Sequence, residues 1–209
     1  MLEEAFTSLG RRFGSLDDYV SGSDYRVIKL HGSVNWAREF SSPMQAPSGA
    51  MNHVSLANSL IDIAHKIDVG DKYHLIPDAY RSQGMVSFME IPGKPGEQFV
   101  FPAIAIPLET KKEYECPTEH VQALEECISK TDKLLIIGWK AAEEHFVKLL
   151  AEGLRKEIPK MIVSSGRDSA GRIKDTLQRF GVDGASWLLG ESGFTDAVRS
   201  GRIENFISR

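Results

Sequence analysis

Cysteine is scarce in this sequence, basic residues do not outnumber acidic ones, and no apolar run is long. Two cysteines among 209 residues, Cys116 and Cys127, cannot build a tetrathiolate zinc site or a disulfide scaffold. Apolar runs stop at four residues, as in Leu134–Ile137, far short of the ~18 that a membrane helix needs. Lys and Arg number 25 against 29 Asp and Glu, and a net charge of −4 excludes bulk attraction to nucleic acid or anionic membrane. Met1-Leu2-Glu3-Glu4 has acid where a secretory signal has base, so the expected compartment is the reducing cytoplasm, with no disulfide. Catalytic signatures are missing as well. There is no G-x-G-x-x-G, Walker loop or G-x-S-x-G elbow, and His53, His65, His74, His120 and His145 show no metal spacing. Cys116, beside Pro117, has no neighbouring base to activate it and is expected to be inert.

What is present alternates between strand-like and helix-like runs. Val121, Leu124 and Ile128 predict a helix after Pro117-Thr118, and Lys133–Gly138 follows as an apolar run of strand length. An unalternating run suits a strand covered on both faces, as in a parallel sheet. Phe146, Leu149, Leu150 and Leu154 predict a second helix. Met161–Val163 predicts a strand, Ala170, Ile173, Leu177 and Phe180 a helix closed by Gly181, and Ala185–Leu189 a last strand. Phe194, Val198 and Phe206 are the expected anchors of the tail. The repeat predicts an α/β fold with a doubly wound, mostly parallel sheet. In the front half, Ser15-Leu16-Asp17-Asp18 fits a capping box and Arg26–Leu30 a strand. Residues 37–98, rich in Ser, Gly, Pro and Met, read as an inserted small subdomain or lid, with one helix through Leu56, Leu60, Ile63 and Ile67. Phe99–Ile106 then returns to the core, its pairing disturbed by Pro102. The expected organisation is therefore 1–36 with 99–209 as one domain, and 37–98 as the insert.

Three segments are candidates for chemistry. In VIKLHGSVNW, His31 at a strand's carboxyl end would sit where open α/β sheets place ligands, and imidazole can take a proton from a hydroxyl. The alternative is a strand exit with His31 hydrogen-bonded for structure. In LLIIGWKAAEE, a buried strand ending in Gly138 before a helix can offer backbone N–H groups to a nucleotide. Glu143 and Glu144 favour a ribose over a phosphate there. In IVSSG, Ser164 and Ser165 could hold a ribose edge or cap the next helix.

Taken in order, KLHGSVNW, a variable insert, FPAIAIPLE, DKLLIIGWKAAEEHF, IVSSG and the closing GFTDAVRSGRIENFI resemble the prokaryotic sirtuin-like (silent-information-regulator-like) NAD-binding domains. The resemblance runs from about Phe6 onward and is weakest over 37–98. It implies a Rossmann-like sheet, NAD as cofactor and cleavage of the nicotinamide–ribose bond, with NAD hydrolysis favoured over lysine deacylation because the four zinc cysteines of deacylating sirtuins are absent. Some bacterial relatives are phage-defence effectors. By resemblance, His31 is the general base on a ribose hydroxyl, followed by Gly32 and Ser33 of the same motif. Gly138 and Trp139 line the adenosine side, and Ser164 and Ser165 lie beside the adenine ribose. Lys140 stands where the family often has a small hydroxyl residue. The family's opening G-x-G strand and Asn-Tyr-Asp motif have no counterpart here, which implies a sheet incomplete at its amino-terminal side. Its open edge could pair with another copy or a partner chain, and an isolated chain could be inactive. The alternatives are a non-catalytic nucleotide-binding or scaffold module, half of a split protein, and a decayed fragment. No metal, membrane or nucleic-acid partner is expected; NAD or an ADP-ribose-like nucleotide is.

Overall fold

The computed structural model describes residues 2–40, 69–76, 87–90, 97–104, 114–155, 157–184, 186–190 and 192–208. They divide into two units, Met1–Ile106 with Tyr114–Val121, and Pro107–Glu113 with Gln122–Arg209. The chain is mixed α/β, with a small antiparallel sheet in the first unit and a small parallel one in the second. Among the described residues no helix is long and apolar enough to cross a membrane.

The first unit holds strands β1 (Gly32–Phe40), β2 (Val69–Leu75), β3 (Ser87–Glu90) and β4 (Glu97–Ile104), in the order β2-β1-β4-β3 and all antiparallel. Two expectations are corrected here. Arg26–Leu30 is not a strand, because its backbone bonds go to irregular chain: Val27 N–H donates to the Tyr19 carbonyl at 2.7 Å, and the Leu30 carbonyl accepts from Glu115 N–H at 2.8 Å. The motif at His31 therefore opens a strand instead of leaving one. Residues 37–98 are also richer in strand than their composition suggests, since the end of β1, β2 and β3 all fall there. The helix expected through Leu56–Ile67 lies outside the described residues. Pro102 pairs with Ala37, and the β1–β4 register slips between Gly32 and Ala37, the kind of disturbance a proline imposes on a ladder. Helix α1 (Leu2–Ser8) and a short 3-10 turn (Asp17–Tyr19) precede the sheet. The capping box forms: Asp18 N–H donates to Ser15 Oγ at 3.3 Å, while the Asp18 carboxylate accepts from Gly14 and Ser15 N–H at 2.6 and 2.8 Å. Buried Tyr19, Val27, Trp36, Ala103 and Cys116 form the core of this unit.

The second unit follows the expected repeat. Helix α2 (Thr118–Lys130), most of it in this unit, leads to β5 (Leu134–Ile137), α3 (Glu144–Gly153), β6 (Lys160–Val163), α4 (Arg167–Arg179) and β7 (Trp187–Leu189). The three strands are parallel in the order β5-β6-β7, and central β6 is buried throughout. Side-chain alternation sends Ile136 and Ile162 to one face, where Ile128, Val147, Leu150, Ala170, Ile173 and Leu177 of three helices pack. Met161 and Val163 face the other way, against Ala197 of α5 (Gly193–Arg199) and Phe206 of α6 (Arg202–Ser208). Phe206 anchors the tail as expected. Phe194 and Val198 do not, being 54% and 52% exposed; the small Ala197 takes the inward position on α5.

Candidate functional site

The carboxyl ends of the parallel strands come together at one rim. Gly138 follows β5 with φ +68°, a conformation that favours glycine, and its N–H donates to the Val163 carbonyl of β6 at 3.0 Å. Beyond β7, Gly190 N–H donates to the Ile162 carbonyl at 2.7 Å, so the three strand ends are stitched side by side. Trp139, half-buried, donates its indole N–H to the Glu143 carboxylate and lies edge-on to Phe146, centroids 5.1 Å apart. Ala141, buried in the same loop, adopts φ +55°, a strained value for a residue with a Cβ. Ser164 and Ser169 share a hydrogen bond of 2.8 Å, and Ser165 is exposed. Helix α4 starts at Gly166 with no side-chain cap. Gly138, Trp139, Ser164 and Ser165 are thus gathered on the loops of two adjacent strands.

His31, Gly32 and Ser33 belong to the first unit. His31 sits half-buried in a turn closed by Gly32 N–H donating to the Lys29 carbonyl at 3.1 Å. Gly32 has φ +73° and lies against the Ala103 backbone, so its lack of a side chain has a packing cause. Ser33 is buried and accepts a 2.8 Å hydrogen bond from Lys29 Nζ. Lys29 also pairs with Glu3 and lies over the rings of Tyr19 and Trp36, at 5.6 and 6.0 Å from their centroids. The Tyr19 hydroxyl in turn donates to Glu3 at 3.0 Å. Glu3, Tyr19, Lys29 and Asn35 were not singled out by the sequence. Lys29 and Asn35 belong to KLHGSVNW, where core packing explains polar residues beside aromatics equally well, and Glu3 and Tyr19 lie outside it with no local signal.

The thiol of Cys116 is pushed up to about 11 by burial and by the Glu115 carboxylate, so it stays protonated and unreactive at neutral pH. Among the described residues no group of three His, Cys, Asp or Glu side chains could hold a metal ion.

No family model, curated protein or solved structure matches this chain.

Proposed function

We propose that this chain carries the nucleotide-binding sheet of a sirtuin-like NAD-consuming domain that hydrolyses the nicotinamide–ribose bond. The observation that carries this reading is the rim of the parallel sheet. Two adjacent strand ends there offer a left-handed glycine, an aromatic ring, hydroxyls and the uncapped start of α4. Such a rim suits an adenosine: serine hydroxyls and the positive end of the α4 dipole meet the ribose oxygens, and Trp139 supplies apolar surface. Glu143 and Glu144 favour the neutral sugar over a phosphate at the start of α3. Ser164 keeps acceptor capacity for a ribose hydroxyl even while bonded to Ser169, because a hydroxyl has one proton and two lone pairs. In this proposal the parallel sheet is part of a larger Rossmann-like, doubly wound one, and the outer edge of β5 or β7 receives the missing strands or a partner chain. His31 is the base on the ribose hydroxyl. NAD bound here would supply the scissile glycosidic bond, and the chain's task is to orient the sugar and take its proton.

Calorimetry with NAD and ADP-ribose on the chain, paired with a hydrolysis assay on it and on a version extended by the in-frame upstream sequence, tests the proposal. His31→Ala is expected to lower turnover by ~10²–10⁴-fold while leaving ADP-ribose affinity nearly unchanged. Full turnover in that variant removes His31 from the reaction.

A second reading, a non-catalytic nucleotide-binding module, is favoured by a specific observation. Gly32 and Ser33 already have structural tasks, against Ala103 and with Lys29. Binding without turnover in both versions of the chain selects it.

A further inference from the structure

The second unit contains a cavity at the amino ends of its parallel strands, away from the rim proposed for the nucleotide. Lys133, Pro159 and Ser186, the residues just before β5, β6 and β7, lie on its wall, and its volume is about 660 Å³. That is within the ~300–1,000 Å³ range of small-molecule sites.

Its lining has two chemistries. Met161 and Leu188 are partners in the β6–β7 register, so their side chains stand on the same face of the sheet. Met161 packs with Phe206 of α6 and is 3% exposed, whereas Leu188 beside it is 51% exposed. The result is an aliphatic floor covered on one half only. Above it lie Lys133 and, exposed on α6, Arg202 and Asn205. Lys133 Nζ donates to the Ile207 carbonyl at 2.7 Å, which holds the ammonium at the wall and leaves it two further protons to donate. Arg202 brings a planar fork of donors that matches the two oxygens of a carboxylate. Among the described residues that line the cavity no side chain is acidic, although the chain as a whole carries a net charge of −4. The charge of the lining thus opposes that of the chain and selects an anion.

An aliphatic floor beneath two cations is the complement of an amphipathic anion. We propose that this cavity binds a medium-chain carboxylate. Its head takes Arg202 and the spare protons of Lys133, with an amide N–H from Asn205, and its chain lies along Met161, Leu188 and Phe206. An alkyl chain suits the floor better than a stacked ring, because Phe206 is the one aromatic side chain among the described lining residues. The proposal does not rest on NAD binding, since cavity and rim lie at opposite ends of the strands.

Calorimetry on the intact chain with decanoate, decanol, decylamine and acetate, each below micelle formation, tests it. Saturable binding of decanoate is expected, with the other three weaker by about tenfold or more. Decanol and decylamine lose the charge-assisted hydrogen bonds, and acetate loses the apolar burial. Arg202→Gln, a change at an exposed residue that the fold should tolerate, is expected to weaken decanoate by at least about tenfold and to leave decanol unaffected. Leu188→Asp, on the edge strand, sets an acid against the anion and is expected to weaken decanoate at least as much; a cooperative melt checks that each variant is folded. Absence of saturable heat with decanoate at millimolar ligand overturns the proposal. So does equal binding of decanol or decylamine, or wild-type affinity in folded Arg202→Gln.

Discussion

The ring of His120 stands edge-on to that of Trp36, with centroids 5.2 Å apart and planes at 88°, and its Nε2–H donates to the Leu16 carbonyl at 3.1 Å. The imidazole is almost wholly inaccessible, and burial holds its pKa below the ordinary 6.5, against the opposing pull of the Leu16 carbonyl, Glu119 and Asp17. The unfolded chain therefore takes up a proton that the folded one resists. Stability from this group is complete above pH 6.5, falls as the pH drops below that value, and levels off below the lowered folded value. His120→Gln, which can keep a donor to Leu16, is expected to flatten the stability–pH curve just below pH 6.5 in urea titrations. An unchanged slope would show that other groups cause the acid loss.

A Cβ added to Gly32 would stand 1.9 Å from the Ala103 carbonyl oxygen, at a φ of +73°. Backbone cannot retreat as a flexible side-chain end can. Gly32→Ala is expected to cost about 2–4 kcal/mol, from left-handed strain plus overpacking, read as a lowered urea midpoint. A loss below about 1 kcal/mol would show that β1 and β4 can separate locally.

How much of this was legible in the sequence depends on where backbone hydrogen bonds go. From Val121 to Leu189 the apolar spacing alone separates strands from helices, because each strand is a short unbroken apolar run and each helix shows one apolar stripe. Gly181 was recognisable as a helix stop, and it does adopt φ +90° after α4. Arg26–Leu30 misled because an apolar run records burial, not pairing; Val27 is buried, yet its N–H goes to Tyr19. The strands at Val69–Leu75 and Ser87–Glu90 carry Gly, Asp, Lys and Glu, which dilute the pattern until a neighbouring strand supplies the ladder. At the candidate site, Gly138, Trp139, Ser164 and Ser165 were readable because strand ends in a parallel repeat converge by topology. Asn35 was not, because nothing local announces that its amide reaches the distant Tyr19 hydroxyl.

Asp18 caps two backbone N–H groups of the turn before Tyr19, those of Gly14 and Ser15. Asp18→Ala is expected to cost about 0.5–2 kcal/mol, as losses of such caps do, whereas Asp18→Asn should cost less because the amide oxygen still accepts. Thermal melts at neutral pH separate the two variants. Equal melting of both would argue that the carboxylate's charge matters more than its geometry.

Lys160, the first residue of β6, is fully buried. Its Nζ donates to the Ile158 carbonyl at 3.2 Å and lies 5.5 Å from the centroid of the Trp187 ring. Burial lowers its pKa from the ordinary 10.5, against Asp183 and Glu157, so the wild-type chain should gain stability as the pH rises towards 10.5. Lys160→Met preserves much of the volume and removes a desolvated charge. It is expected to be neutral or stabilising by up to about 2 kcal/mol at pH 7 and to abolish the alkaline gain. Marked destabilisation in that variant would assign the ammonium a structural role beyond filling space.

Partners in the two sheets stand at different distances along the chain. Lys160 meets Leu134 on one side and Trp187 on the other, whereas Gly32 must find Ile104, closing a loop more than twice as long. That difference adds about 0.9 kcal/mol of chain-closure entropy to the β1–β4 pairing alone, because Phe40–Val69 and Glu90–Glu97 close loops of similar or shorter length. On refolding from denaturant, the β1–β4 pairing should be the last of the strand pairings to form.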